Sequence, residues 1–98
     1  MAKGLILEFE GDVGAYQRVT ECLGIDVESG EGEWPAGLLF HSGGPKPGGW
    51  IVSEVWSSRE DQERFLAERL EQALREAGVE KPPSRVEWFD LAGFRMLQ

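Results

Sequence analysis

Two side chains in this sequence are candidate proton acceptors, and both fall in strand-like segments. His41 is the single histidine of the chain and follows a short apolar run. An imidazole serves as a general base or a hydrogen-bond donor near neutral pH. Glu54 alternates with Trp50, Val52 and Trp56, so we expect its carboxylate to be shielded from water, a condition typical of useful acids and bases. His41 and Glu54 are therefore the candidate catalytic residues.

Each of these candidates also has a purely structural interpretation. A lone histidine at the end of a strand is often only a polar cap, and the sequence identifies no Asp or Ser partner for His41. A strand glutamate more often forms an ion pair, for which Arg85 or Arg95 is the expected partner of Glu54. The sequence leaves both interpretations open.

Aromatic residues are numerous for the length of the chain, with four Trp and five Phe. Such rings either line the pocket of a flat aromatic ligand or fill a core. One of them, Trp34, stands in an acidic, glycine-rich stretch beside Pro35, where no hydrophobic period requires burial, so it is a candidate lid. The candidate ligand-binding residues are Trp34, Trp50, Trp56 and Phe65.

The element that positions most of these candidates is a strand that leads directly into a helix, over residues 50–78. The segment from Trp50 to Trp56 is rich in β-branched and aromatic residues, as strands are. A capping box that starts at Ser57 or Ser58 then predicts a helix. Apolar residues recur at helical spacing up to Gly78, which suits the left-handed position after a helix end.

The remainder of the chain supplies one more helix and three more strands. The sequence predicts, in order, a strand over 3–10, a helix capped by Asp12 and ended by Gly24, a long connection over 25–37, a strand over 38–41, a hairpin loop over 42–49 and a last strand over 85–91. The resulting βαββαβ order, in one domain over residues 1–98, predicts an α+β, ferredoxin-like fold. Its four-stranded antiparallel sheet carries both helices on one face.

The other face of this sheet has no predicted cover. Several strands are apolar on both sides, and two helices cover only one of them. A bare apolar face of that size is unusual in a monomer. A second sheet stacked on it would bury it, so the sequence predicts a homodimer.

Composition excludes several classes of partner. Ten Lys and Arg against eighteen Asp and Glu give a net charge of -8, which repels nucleic acid and anionic membranes. The apolar runs are too short to span a bilayer. A lone cysteine and an N-terminus without signal-peptide features lead us to expect a cytoplasmic protein. Too few nitrogen and sulfur ligands are present for a transition-metal set, so no metal or cofactor is expected.

The passage from Trp56 to Phe65, WSSREDQERF, is similar to the strand-to-helix junction of a known family. Together with the strands GLLFH before it and RVEWFDL after it, the passage makes the chain resemble the dimeric α+β barrel superfamily. The resemblance is to the antibiotic-biosynthesis-monooxygenase-like branch and covers essentially the whole chain. It implies a barrel built by two subunits and a ligand pocket.

This superfamily includes cofactor-free quinone-forming oxygenases, haem-degrading oxygenases, lactone isomerases and stress-response proteins. Haem degradation in related barrels depends on an axial histidine in a helix, and the second helix here contains none. We therefore expect a small-molecule-binding barrel, in its most specific form a cofactor-independent monooxygenase of an aromatic or polyketide-like substrate, with His41 or Glu54 accepting a proton. The alternative is a non-enzymatic barrel that acts as a binding or interaction module.

Overall fold

One antiparallel sheet of four strands forms the centre of the computed structural model, which describes residues 1–95. The strands in chain order are β1 (Lys3–Glu10), β2 (Ile25–Asp26), β3 (Glu31–Gly32), β4 (Leu38–Lys46), β5 (Gly49–Trp56) and β6 (Arg85–Asp90). The sheet has the spatial order β4-β5-β1-β6, and every neighbouring pair is antiparallel. The predicted α+β, ferredoxin-like plan is confirmed.

Two helical segments pack on one face of this sheet. The first is α1 (Ala15–Leu23), and the second runs through α2 (Arg59–Phe65), a π-helical turn (Leu66–Leu70) and α3 (Glu71–Glu76). The Ser58 hydroxyl accepts the Asp61 amide at 3.2 Å, so the predicted cap is confirmed. Gly24 and Gly78, with φ of 75° and 82°, follow the two helices as predicted. No helix in the described part of the chain is long and apolar enough to cross a membrane.

The predicted start of α1 is wrong. Asp12 does not cap this helix, because its carboxylate accepts the Gly14 amide at 2.8 Å in a turn that precedes it. Gly14 occupies the cap position, and the helix begins at Ala15.

Two predicted loops contain strand structure. The strand expected over 38–41 continues to Lys46, so the hairpin turn is shorter than the sequence suggested. This is possible because β4 is an edge strand, where Pro45 needs no inward-facing amide. The connection over 25–37 includes the small β2–β3 hairpin.

The two faces of the sheet differ in burial. The helix-covered face contributes alternate residues of β1 and β5 to one core cluster, namely Leu5, Leu7, Phe9, Trp50, Val52 and Trp56. The opposite face, called here the outer face, is only partly shielded, and Phe89 there is 43% exposed. Apolar side chains on the outer face are Ile6, Phe40, Ile51, Val55 and Phe89, which the register places on one side of the sheet.

Candidate functional site

A chain of hydrogen bonds joins four side chains from α1, β4 and β5. The Tyr16 hydroxyl lies 2.7 Å from His41 Nε2, and His41 Nδ1 lies 2.8 Å from Glu54 Oε2. The other oxygen of this carboxylate, Oε1, accepts the Trp56 indole N–H at 3.0 Å. The structure thus brings the two candidate catalytic residues into direct contact, and it adds Tyr16 to them.

The direction of each hydrogen bond follows from the donor inventory. The Glu54 carboxylate only accepts, so His41 Nδ1 and the Trp56 indole must donate to it. With its proton on Nδ1, a neutral imidazole has a lone pair on Nε2, which accepts the Tyr16 hydroxyl proton. A carboxylate orients a catalytic imidazole in the same way in hydrolase triads. His41 therefore points its basic nitrogen at Tyr16.

Strand register places His41 beside Glu54. The two residues are cross-strand partners in the β4–β5 pair, after an irregularity in register between Leu38 and Phe40. Their side chains are only 13% and 9% exposed. Such burial strengthens a hydrogen bond and makes an unpaired partner costly.

The prediction that Arg85 or Arg95 pairs with Glu54 is wrong, and Arg95 is exposed. Arg85 instead lies 2.9 Å from Glu8, a β1 carboxylate on the outer face. It also contacts Glu87 at 2.5 Å. Arg85 cannot reach Glu54 because Glu54 points to the helix-covered face, where it contacts His41 and Trp56.

Tyr16 is the functional candidate that sequence analysis missed. Its position in the helical stripe of α1 indicated only core packing, although it is the single tyrosine of the chain. Its ring lies against β4 at Gly43, where a Cβ atom would stand 2.6 Å from the ring. Burial, and then the charge of Glu54, raise the pKa of Tyr16 above its ordinary 10.0. The hydroxyl therefore stays protonated at neutral pH and donates to His41.

A small apolar cavity lies between the sheet and the helices, with Tyr16, His41 and Glu54 on its wall. Its volume is about 50 Å³, whereas drug-sized ligands occupy roughly 300 to 1,000 Å³. The predicted ligand-binding residues that border this cavity are Trp34, Trp50 and Phe65. Trp56 does not border the cavity. It is fully buried and donates its indole N–H to Glu54.

A groove of about 400 Å³ lies on the other side of the cavity wall, along the edge strand β4. The wall between the cavity and the groove consists of Trp34, Leu38 and His41, which border both. The Trp34 ring lies 5.5 Å from the His41 ring, measured between centroids. Trp34 thus covers the imidazole, as a lid residue would, while remaining half-buried.

Among residues 1–95, no group of three or more His, Cys, Asp or Glu side chains is arranged to hold a metal ion.

Fold and site together define an α+β protein whose antiparallel sheet and two helices enclose a buried Tyr–His–Glu chain. No protein-family model matches the chain, and no curated protein matches its sequence. A solved structure from Chloroflexus aurantiacus J-10-fl, provisionally named an antibiotic biosynthesis monooxygenase, covers 100% of both chains with a TM-score of 0.69 and 16% identity. The protein therefore has the fold of the antibiotic-biosynthesis-monooxygenase-like α+β barrels, and the resemblance seen at the Trp56–Phe65 junction is confirmed for the fold.

Proposed function

We propose that the protein binds an aromatic small molecule between its sheet and helices and oxidises it as a cofactor-independent monooxygenase. The observation that carries this proposal is the Tyr16–His41–Glu54 chain on the wall of an apolar cavity. The Chloroflexus structure is provisionally named a monooxygenase, which is the same class of enzyme. An orienting carboxylate, a base and a hydroxyl are what removal of a proton from a phenol or enol requires.

In this proposal the substrate hydroxyl donates its proton to Tyr16 Oη while the Tyr16 proton moves to His41 Nε2. The Glu54 carboxylate, 2.8 Å from His41 Nδ1, stabilises the imidazolium that forms. The surrounding apolar side chains exclude water and so strengthen these electrostatic contacts. The deprotonated substrate is electron-rich enough to react directly with dioxygen.

The overall reaction balances without an electron from the protein. An anthrone-like methylene, R₂CH₂, reacts with O₂ to give R₂C=O and H₂O. The carbon loses two C–H bonds and gains a C=O bond. One oxygen atom enters the product, and the other leaves as water with the two hydrogens. The substrate supplies all electrons that reduce O₂, so the role of the protein is orientation and proton transfer.

Oxygen uptake with anthrone-like and dihydroxyaromatic compounds tests this function. We expect His41→Ala and Glu54→Gln each to lower the rate by about 100-fold, the usual contribution of general-base catalysis. Glu10→Gln, an exposed substitution at the end of β1, is the matched control and should leave the rate unchanged. Uptake that is equally fast in all three variants, or absent with every compound in the wild type, would contradict the proposal.

We also propose that the functional unit is a homodimer formed through the outer face. Supporting this are the apolar side chains on that face and Phe94, 47% exposed, whose ring lies 6.1 Å from Phe40. Sedimentation should show a dimer for the wild type. We expect Phe89→Asp to dissociate this dimer and Val13→Asp to leave it intact. Val13 is the control because it is also apolar and exposed but precedes α1. A wild-type monomer at micromolar concentration would contradict the dimer.

The alternative function is that of a non-enzymatic binding or interaction module, and the small cavity volume favours it. A cavity of about 50 Å³ is far below the roughly 300 Å³ at which ligand pockets begin. In that case Tyr16, His41 and Glu54 form a structural network that satisfies its own polar atoms. The two functions differ in whether an aromatic compound changes tryptophan fluorescence and whether His41→Ala removes that change.

A further inference from the structure

Trp34 lies between two spaces that together could hold a ligand. One is the small cavity beside Tyr16, His41 and Glu54, and the other is the groove along β4. The cavity is too small for a substrate ring, and the groove borders His41 but not Tyr16, from which Trp34, Leu38 and His41 separate it. An aromatic ligand that reaches Tyr16 from the groove must pass this wall, and Trp34 is the wall residue that lies outside the sheet, since Leu38 and His41 belong to β4.

The backbone around Trp34 is anchored, while its side chain is held more weakly. Arg69, from the π-helical turn, donates to the carbonyls of Leu23 and Glu33 at 2.9 and 2.6 Å. The Glu33 amide also donates to Gly24 O at 3.0 Å. The Trp34 indole donates one hydrogen bond to Gly30 O at 2.9 Å. The indole can therefore swing outward without unfolding the connection that carries it.

The groove has the chemistry of an apolar subsite. Apart from His41 and Gly30, its lining consists of Trp34, Leu38, Leu39 and Phe40. Leu39 is 52% exposed, so a ligand group placed there would cover apolar surface now in contact with water. The connection beside the groove carries Asp26, Glu28, Glu31 and Glu33. These acids disfavour an anionic ligand.

We propose that Trp34 is the movable wall of the site and that the β4 groove is a subsite for an apolar extension of the substrate. This rests on the proposed function. The substrate is an uncharged phenol or enol with an apolar ring or chain attached. Its hydroxyl lies at Tyr16 and His41 once the indole has moved, and its extension lies on Leu38 and Leu39. The ligand thus replaces the contacts that the indole gives up.

Fluorine NMR of protein labelled with 5-fluorotryptophan tests this arrangement. The four tryptophans give one resonance each, assigned by single Trp→Phe substitutions. Phenol and 2-naphthol serve as ligands that share a hydroxyl and differ in one apolar ring. We expect both to shift the Trp34 resonance, and 2-naphthol to bind about tenfold more tightly, since the second ring is buried in the groove.

Substitutions at Trp34 distinguish a movable wall from a side chain that only stabilises the fold. Trp34→Ala and the milder Trp34→Phe should both speed 2-naphthol binding, because no indole has to move first. Trp88→Phe is the control: Trp88 is half-buried on β6 and borders neither the cavity nor the groove. Its binding rate should equal that of the wild type. The carboxylated analogue 6-hydroxy-2-naphthoate should bind more weakly than 2-naphthol.

Outcomes that overturn the inference differ from those that overturn the proposed function. One outcome contradicts only the movable wall: both compounds bind, His41→Ala weakens their binding, and the Trp34 resonance does not shift. The proposed function would stand in that case. The groove subsite fails in the same way if 2-naphthol binds no better than phenol. If neither compound binds, or if His41→Ala leaves their binding unchanged, the proposed function fails and this inference fails with it.

Discussion

Two glutamates on neighbouring strands illustrate how the two faces of the sheet differ. Glu8 on β1 uses both carboxylate oxygens on the outer face, contacting Lys46 at 2.6 Å and Arg85 at 2.9 Å. Glu54 on β5 also uses both oxygens, on the helix-covered face, but its partners are the imidazole of His41 and an indole. The two sites have similar geometry and differ in the charge of the donors.

The difference in donors separates a structural carboxylate from one that can assist proton transfer. Hydrogen bonds from Lys46 and then Arg85 lower the pKa of Glu8, which keeps it an anion with its countercharges already present. The partners of Glu54 become cationic only when His41 gains a proton. A proton transferred to His41 therefore places a new cation beside Glu54, whereas the cations beside Glu8 are always present.

The largest expected difference concerns stability after each carboxylate is removed. Glu54→Ala leaves the His41 and Trp56 N–H groups buried without an acceptor, which should cost about 3 kcal/mol of unfolding free energy. Glu8→Ala leaves Lys46 and Arg85, whose side chains are 41% and 45% exposed, free to bind water, so its loss should be much smaller. Urea denaturation measures both, and equal losses would contradict the distinction between the faces.

Alanine substitutions at two neighbouring glycines compare the same two faces, with a smaller expected effect on stability. Gly43 lies under Tyr16, and a Cβ there would meet the ring at 2.6 Å. Gly43→Ala should therefore move the ring away from His41 and cost about 2 kcal/mol. Gly44 faces the other side, where a Cβ would have no neighbouring atom within 4 Å. Gly44→Ala should be close to neutral, and matching urea midpoints for the two variants would show that Tyr16 is not held by β4.

The smallest effect is the alkaline pH dependence of stability. The pKa of Tyr16 is raised in the folded protein above its ordinary 10.0, so ionisation favours the unfolded chain. The stability from the neutral phenol is present below about pH 10 and is lost as pH rises through the folded pKa. Tyr16→Phe should cost about 1 kcal/mol at neutral pH and should flatten this alkaline decline. An unchanged decline in Tyr16→Phe would mean that other groups cause it.

Local patterns in the sequence were sufficient to predict most of the fold. The period-two pattern of β5 placed Glu54 on the same face as Trp50 and Trp56, and the Ser58 cap and Gly78 marked the ends of the second helix. These features depend on residues close together in the chain, so a single sequence contains them.

The partners within the site depend on long-range packing and could not be predicted. His41 meets Glu54 only because the register of β4 against β5 shifts between Leu38 and Phe40. Tyr16 reaches His41 only because α1 lies over β4 and Gly43 leaves room for the ring. No local pattern encodes the alignment of α1 with an edge strand, so Tyr16 looked like an ordinary core residue.

Nitrogen-15 NMR of the single histidine tests most directly whether Glu54 orients His41 for proton transfer. At about pH 9, where an ordinary imidazole is neutral, we predict a protonated Nδ1 and an Nε2 resonance typical of a bare lone pair that accepts a hydrogen bond. Glu54→Gln should mix the two tautomers, and Glu8→Gln should leave the spectrum unchanged. A wild-type His41 with its proton on Nε2, or one that averages freely between tautomers, would contradict the arrangement.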